Sequence, residues 1–297
     1  MTRSRAEALL AAVIIARSTS FVFNKMGLGT MTPFNLLAVR FLLAFGLLAA
    51  LFWLRLRHVS RRTLLHGAAL GGLFFLVMTG EMFALKTTPS GTVSLLENMA
   101  ILFVPLLEGL ALRKLPRPGA LASAAVAVTG VALLTMEGGR LSLAPGQWIA
   151  LGAAVVYACA ILCTDRFSHR DDGLVLGILQ VGVLGTLALL ASLVTESPRL
   201  PQTGGEWGIV LALALVCTGF GYTLQPVAQS GTTAQRAGLL CALSPAFASV
   251  FGAVLLHERI TALGGLGMAL ILGSILVPNL LAARRARAKF STKEQVS

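Results

Sequence analysis

Apolar stretches about as long as a bilayer is thick follow one another from end to end of this chain, separated by short polar turns. A helix needs about 20 residues, at ~1.5 Å each, to cross a ~30 Å hydrocarbon core. Ten stretches reach or approach that length: residues 6–25, 34–54, 64–85, 92–112, 120–136, 147–164, 173–195, 207–225, 233–256 and 263–281. In lipid every backbone N–H and C=O must find its partner within the chain, so packed helices are the expected architecture. A transmembrane barrel would show alternating segments of ~10 residues instead. The expected fold is an all-α membrane protein with ten transmembrane helices. Only 12% of the 297 residues are charged, against about 25% in soluble domains, which leaves no room for a soluble domain. The first stretch is too long for a signal-peptide core and lacks a small-residue cleavage site, so it reads as a retained helix.

The net charge of +12 would suit a nucleic-acid partner, but its distribution argues otherwise. Seventeen of the 24 Lys and Arg residues fall on the face that holds the N-terminus, and five on the opposite face. Arg17 and Arg40 lie within spans. Such an asymmetry is the positive-inside pattern; it predicts a multi-pass protein of the cell inner (plasma) membrane with both termini cytoplasmic. The basic tail after residue 281 then favours anionic membrane lipid, and no nucleic acid is expected. Cys159, Cys163, Cys217 and Cys241 all fall inside spans and read as small apolar side chains. No metal-ligand spacing and no phosphate-binding loop occurs, so no metal and no cofactor is expected.

The two halves compare loosely. Residues 8–25 lie over 149–166, which sets Asn24-Lys25 on Asp165-Arg166. Residues 95–112 lie over 239–256, each stretch with a proline (Pro105, Pro245) and a charged exit, Arg113-Lys114 and His257-Glu258-Arg259. Five spans per half is odd, so a second copy enters the membrane from the opposite side. That is an inverted repeat, a construction typical of secondary transporters. The expected units are residues 1–140 and 141–297.

Several motifs resemble the EamA-type repeat of the drug/metabolite transporter superfamily. They are Ser18-Thr19-Ser20-Phe21-Val22, Lys25-Met26-Gly27-Leu28, Pro33 and Leu37-Ala38-Val39-Arg40-Phe41 in the first half. In the second they are Leu243-Ser244-Pro245-Ala246-Phe247, Leu255-Leu256-His257-Glu258-Arg259-Ile260 and the glycines 264, 265, 267 and 273. The resemblance implies ten helices in two inverted five-helix repeats. It also implies a central cavity lined by spans 1, 3, 4, 6, 8 and 9, and movement of small metabolites. Two positions depart from the family pattern. Ala16-Arg17 stands where the family carries Trp-Gly, and Lys114 where it carries Glu at the exit of the fourth helix.

A charge inside a membrane-length segment costs roughly 2.5–3.5 kcal/mol on insertion scales and is a functional-site hypothesis by default. Arg17, Arg40, Glu81 and Glu97 fall at comparable depth on spans 1 to 4. One reading is structural, with the opposite charges joining helices; the family's own Arg favours this for Arg40. The other assigns Arg17 and Glu97 to substrate binding or coupling, with Glu81, Asn98, Tyr157, Tyr222 and Gln225 as further cavity candidates. Within it, Glu97 serves as a protonatable switch with protons as coupling ion, or Arg17 and Glu97 hold the two ends of a zwitterion. Pro105 and Pro245 are expected to kink spans 4 and 9 as hinges. The expected function is a secondary transporter, not an enzyme, exporting a small polar or amphipathic metabolite such as an amino acid. The alternatives are an exchanger of phosphorylated or nucleotide-linked solutes, which needs more cavity cations, and a polytopic membrane enzyme, which needs a nucleophile with a base. The four histidines sit at helix ends without evident partners, which disfavours the enzyme.

Overall fold

The computed structural model describes residues 3–111, 118–134, 136–137, 140–141, 144–168, 170–230, 244–259 and 261–274. They form helices α1 (Arg3–Gly27), α2 (Pro33–Leu51), a short α3 (Trp53–Leu56), α4 (Arg61–Leu85), α5 (Ser90–Asn98), α6 (Ala100–Ala111) and α7 (Pro118–Leu134). A two-residue β pair, Met136–Glu137 with Arg140–Leu141, precedes α8 (Pro145–Ser168), α9 (Gly173–Thr195) and α10 (Gly204–Leu211). A π-helical segment (Ala212–Tyr222) continues into α11 (Thr223–Ser230); α12 (Ser244–Leu256) and α13 (Ala262–Ser274) follow. Six of these helical runs are long and apolar enough to cross a membrane, and three shorter apolar helices accompany them.

The helix starts follow local chemistry. Pro33 occupies the first turn of α2, where its missing N–H costs nothing. Ser60, Asp172 and Thr203 cap α4, α9 and α10 by accepting first-turn N–H groups. Small residues set the close approaches, as expected where lipid gives no hydrophobic drive between helices. Gly67 and Gly71 of α4 press on Leu179 and Val183 of α9, while Gly182 and Gly185 of α9 receive Phe45 and Leu42 of α2. Gly80 meets Ala153 of α8, and Gly130 of α7 meets Ile271 of α13. Outward faces carry exposed apolar side chains, among them Leu47, Leu76, Leu190, Val194 and Val254, as a lipid-facing surface requires.

Three expected spans differ in detail. The span at 92–112 is divided at Met99, where the Met99 N–H bonds the Leu96 carbonyl and the Leu102 N–H bonds the Met99 carbonyl, both three residues back. The helix is therefore broken beside Glu97 and Asn98, and α6 passes through Pro105 beyond the break. The span at 207–225 changes from α to π geometry at Ala212 and extends to Ser230. The span at 34–54 ends at Leu51, with Phe52 as a corner before α3.

Candidate functional site

A cavity with about 450 Å³ of empty space, part of it open to solvent, lies between α1, α4, α5, α8, the π-helical segment and α12. Helix α1 contributes Ile14, Arg17, Ser20 and Phe21, whose three- and four-residue spacing puts them on one face. Glu81 enters from α4, Glu97 and Asn98 from the broken end of α5, and Tyr157 from α8. Tyr222 closes the π-helical segment and Ser244 opens α12. Six residues singled out in the sequence, Arg17, Glu81, Glu97, Asn98, Tyr157 and Tyr222, thus share one cavity. The side chains of Gln225 and Pro105 lie outside the described ones. Pro245 is buried in the first turn of α12, and residues 231–243 before it lie outside the description.

An aromatic wall holds the two phenols. Phe74 makes edge contacts with Tyr157 (centroids 6.0 Å) and Tyr222 (5.9 Å), and Phe41 with Tyr222 (6.0 Å). The Tyr222 hydroxyl reaches the Met78 sulfur at 3.5 Å. The Arg17 guanidinium carbon stands 4.1 Å from the Tyr222 ring centroid, a cation–π geometry. Its stem passes over Gly221, where an added Cβ would come within 2.6 Å of the Arg17 Cγ. Beside it, the Cys217 thiol donates to the Ala16 carbonyl at 3.3 Å, and Thr19 Oγ1 lies 3.4 Å from the same sulfur, tying α1 to the π-helical segment.

Behind the cavity wall runs a relay of buried polar groups. Arg40, with no exposed surface, donates from Nε to Thr218 Oγ1 (2.9 Å) and from Nη1 to Asn24 Oδ1 (3.0 Å). Asn24 Nδ2 donates to Glu81 Oε1 (2.7 Å). Glu81 and Glu97 line the same cavity, and Glu97 Oε2 is buried with no hydrogen-bond partner. Asn98 Nδ2 donates to the Ser94 carbonyl (2.8 Å). Sequence reasoning missed Asn24, Ser20, Thr218 and Ser244. Asn24 had a usable signal, since it follows Arg17 by seven residues, two helical turns along the same face.

Ion pairs tie the helix ends at both faces of the bundle. Beyond α12, Glu258 accepts from Lys25 Nζ (2.8 Å), from the Ser90 N–H (2.9 Å) and from Ser90 Oγ (2.7 Å). Partial burial pushes this carboxyl up, but Lys25 and Ser90 outweigh it and hold it below the usual carboxylate range. At the opposite face Asp171 accepts from His66 Nδ1 (2.6 Å), Thr63 Oγ1 (2.7 Å) and Arg62 Nη2 (3.3 Å). His66 also stacks on Phe167 at 4.0 Å, so this histidine has partners that its place in the sequence did not reveal. Desolvation opposes the Asp171 charge, yet the three donors keep its carboxyl below its ordinary value.

The cavity presents side chains of both charge types in a partly enclosed space. Among the described residues no group of three His, Cys, Asp or Glu is placed to hold a metal. A solved crystal structure superposes on 95% of this chain and 99% of its own, with a TM-score of 0.69 at 24% identity, a likeness of fold. An uncharacterized transporter of Archaeoglobus fulgidus is 28% identical over 89% of this chain and 94% of its own. The threonine/homoserine exporter RhtA of Escherichia coli is 26% identical over 85% and 83%. A protein described as a probable terminal-alkyne amino-acid exporter, from Streptantibioticus cattleyicolor, is 30% identical over 67% and 68%. The EamA-like transporter family matches residues 5–136 and again 144–280. With those two matches spanning nearly its whole length, this multi-pass membrane protein belongs to the EamA-like transporter family.

Proposed function

We propose that the protein exports a small zwitterionic metabolite of the amino-acid class by alternating access. In this reading residues 1–140 and 141–297 are inverted five-helix repeats, ten spans cross the membrane, and both termini are cytoplasmic. The observation that carries it is the meeting of Arg17 with Glu81 and Glu97 in one cavity. A guanidinium fork suits a carboxylate, and a carboxyl suits an ammonium. The break beside Glu97 supports the placement, since interrupted helices build transporter sites near the bilayer midplane. Similarity to two amino-acid exporters supports the class and the direction. A phosphorylated solute fits less well: Arg40 is engaged by Asn24 and Thr218, and two carboxyls face the space a dianion would enter.

The orphan Glu97 Oε2 beside Glu81 supports proton coupling as part of the same cycle. Two neighbouring carboxyls in one buried site repel when both are ionised, which favours a proton on one of them. Substrate ammonium and that proton would then compete for Glu97.

Proteoliposomes loaded with labelled L-homoserine, with and without an imposed pH gradient, test the reading. Protein-dependent efflux is expected, accelerated by the gradient and lost in Arg17→Ala; Glu97→Gln is expected to remove the response to the gradient. Absence of efflux across L-homoserine, L-threonine and other neutral amino acids would overturn the substrate class. An unchanged gradient response in Glu97→Gln would overturn the coupling role.

A further inference from the structure

We propose that the corner between α2 and α4 is a binding site for the headgroup of an anionic phospholipid, held by Arg57 and Arg61 with Trp53 beside them. Helix α2 ends at Leu51, Phe52 turns the backbone, and the single turn of α3 leads into α4. The corner lies on the face where α1 begins, at the depth where two membrane-length helices leave the hydrocarbon. Exposed leucines mark that depth from both sides: Leu47 and Leu51 on the last turns of α2, Leu64 and Leu65 on the first turns of α4. Between them Trp53 and Leu54 are 63% and 73% exposed. Apolar surface of this size is unfavourable in water, and a tryptophan settles at the level of the lipid headgroups, where its ring has one dry end and one wet end. Lipid is the occupant that the apolar part of the corner fits.

The charged part selects which lipid. Arg55, Arg57, His58, Arg61 and Arg62 stand within eight residues, and no Asp or Glu occurs between Glu7 and Glu81. Two of these arginines are engaged within the protein. Arg55 pairs with Asp172 at 3.5 Å. Arg62 pairs with Asp171 at 3.3 Å and donates to the Arg170 carbonyl at 2.7 Å. These contacts pin the corner to the connection from α8 to α9. Arg57 and Arg61 are exposed, and among the described residues neither has a carboxylate within ion-pair distance. One caps the end of α3 and the other opens α4, so ordered backbone holds both sides of the short link 58–60. A guanidinium fork matches two oxygens of a phosphate. A zwitterionic headgroup would bring an ammonium back among these cations, whereas phosphatidylglycerol carries its phosphate without one. The corner therefore prefers the anionic lipid.

Trp53 reports on the corner directly. Trp148→Phe/Trp207→Phe leaves it as the only tryptophan in the chain. In vesicles of phosphatidylcholine and phosphatidylglycerol at equal mole fraction, with bromine on the acyl chains of one lipid or the other, quenching of Trp53 gives the relative occupancy of the two lipids around it. Phosphatidylglycerol is expected to be preferred at least about threefold, falling to about one in Arg57→Gln/Arg61→Gln. Arg5→Gln/Arg166→Gln removes two exposed arginines elsewhere and should leave the preference unchanged. A ratio near one with all four arginines in place, or a preference that survives Arg57→Gln/Arg61→Gln, overturns the site. An equal fall in Arg5→Gln/Arg166→Gln overturns it too, by showing surface charge alone. Excess inorganic phosphate at constant ionic strength should leave the ratio as it is; a collapse would assign the arginines to a soluble anion instead of lipid. The vesicles carry both lipids in both leaflets, so the result depends neither on the orientation of the protein nor on the solute it carries.

Discussion

Asn24 holds two buried ionisable neighbours in register. Its oxygen takes Arg40 and its nitrogen gives to Glu81, so each atom of the amide has one permitted role. The side chains of Arg40 and Glu81 are buried, and a polar group there is costly without a partner. Asn24→Leu removes both bonds at once. It is expected to lower stability by about 2–3 kcal/mol, between the cost of breaking a buried pair and the smaller values typical of polar contacts in membranes. Denaturant unfolding in detergent would measure it. In an Arg40→Met/Glu81→Met background the same substitution should cost less than about 1 kcal/mol, because no charge is then stranded. A full loss in both backgrounds would mean that Asn24 acts through packing alone. The four ionisable residues within spans were legible in the sequence because such residues stand out in apolar runs. Asn24 was legible only through its spacing from Arg17, because a neutral amide next to Lys25 otherwise reads as the polar end of a span.

At the scale of helices, boundaries were legible wherever a cap or a proline sets them. Helix α9 occupies residues 173–195 as expected, with Asp172 accepting from the Leu174 and Val175 N–H groups. Interruptions were less legible. Hydropathy sees residues 92–112 as one continuous greasy run, and nothing in it marks Met99 as the point where the backbone tightens. Pro105, the expected hinge, lies within α6, and a separate break lies six residues earlier, next to Glu97. The π-helical turn was equally silent, since π geometry leaves hydropathy unchanged and shows only in the hydrogen-bond ladder. Both irregularities border the cavity. This fits a general expectation: backbone departs from regular geometry in lipid only where it faces protein or a polar space. What the sequence could give was depth; what it could not give was which faces meet. Rise per residue put Arg17, Glu81 and Glu97 in one slab, but their convergence depends on how α1, α4 and α5 rotate about their axes.

The whole molecule is held by polar ties between distant parts of the chain, and Asp171 tests how much one tie contributes. Its carboxylate, in the connection from α8 to α9, gathers Arg62, Thr63 and His66 from the start of α4, so it joins chain segments 105 to 109 residues apart. Arg62 strengthens the same junction by donating to the Arg170 carbonyl at 2.7 Å. Desolvation works against the charge, but the donors outweigh it and hold the folded pKa below the unfolded value of about 3.9. A depressed carboxyl stabilises the fold above its unfolded pKa, and that contribution disappears as pH falls through the folded pKa. Asp171→Asn keeps the shape and removes the charge. At pH 7 it is expected to lower the apparent thermal midpoint in detergent by about 2–4 °C, compared at one scan rate because unfolding of such proteins is commonly irreversible. As the pH is lowered below about 4, the gap between the two proteins should close, because the native carboxyl is then protonated as well. Thermal scans of both proteins from pH 7 down to pH 3 would show this. A gap that stays constant over the range would mean that the aspartate shape, not its charge, ties the two segments together.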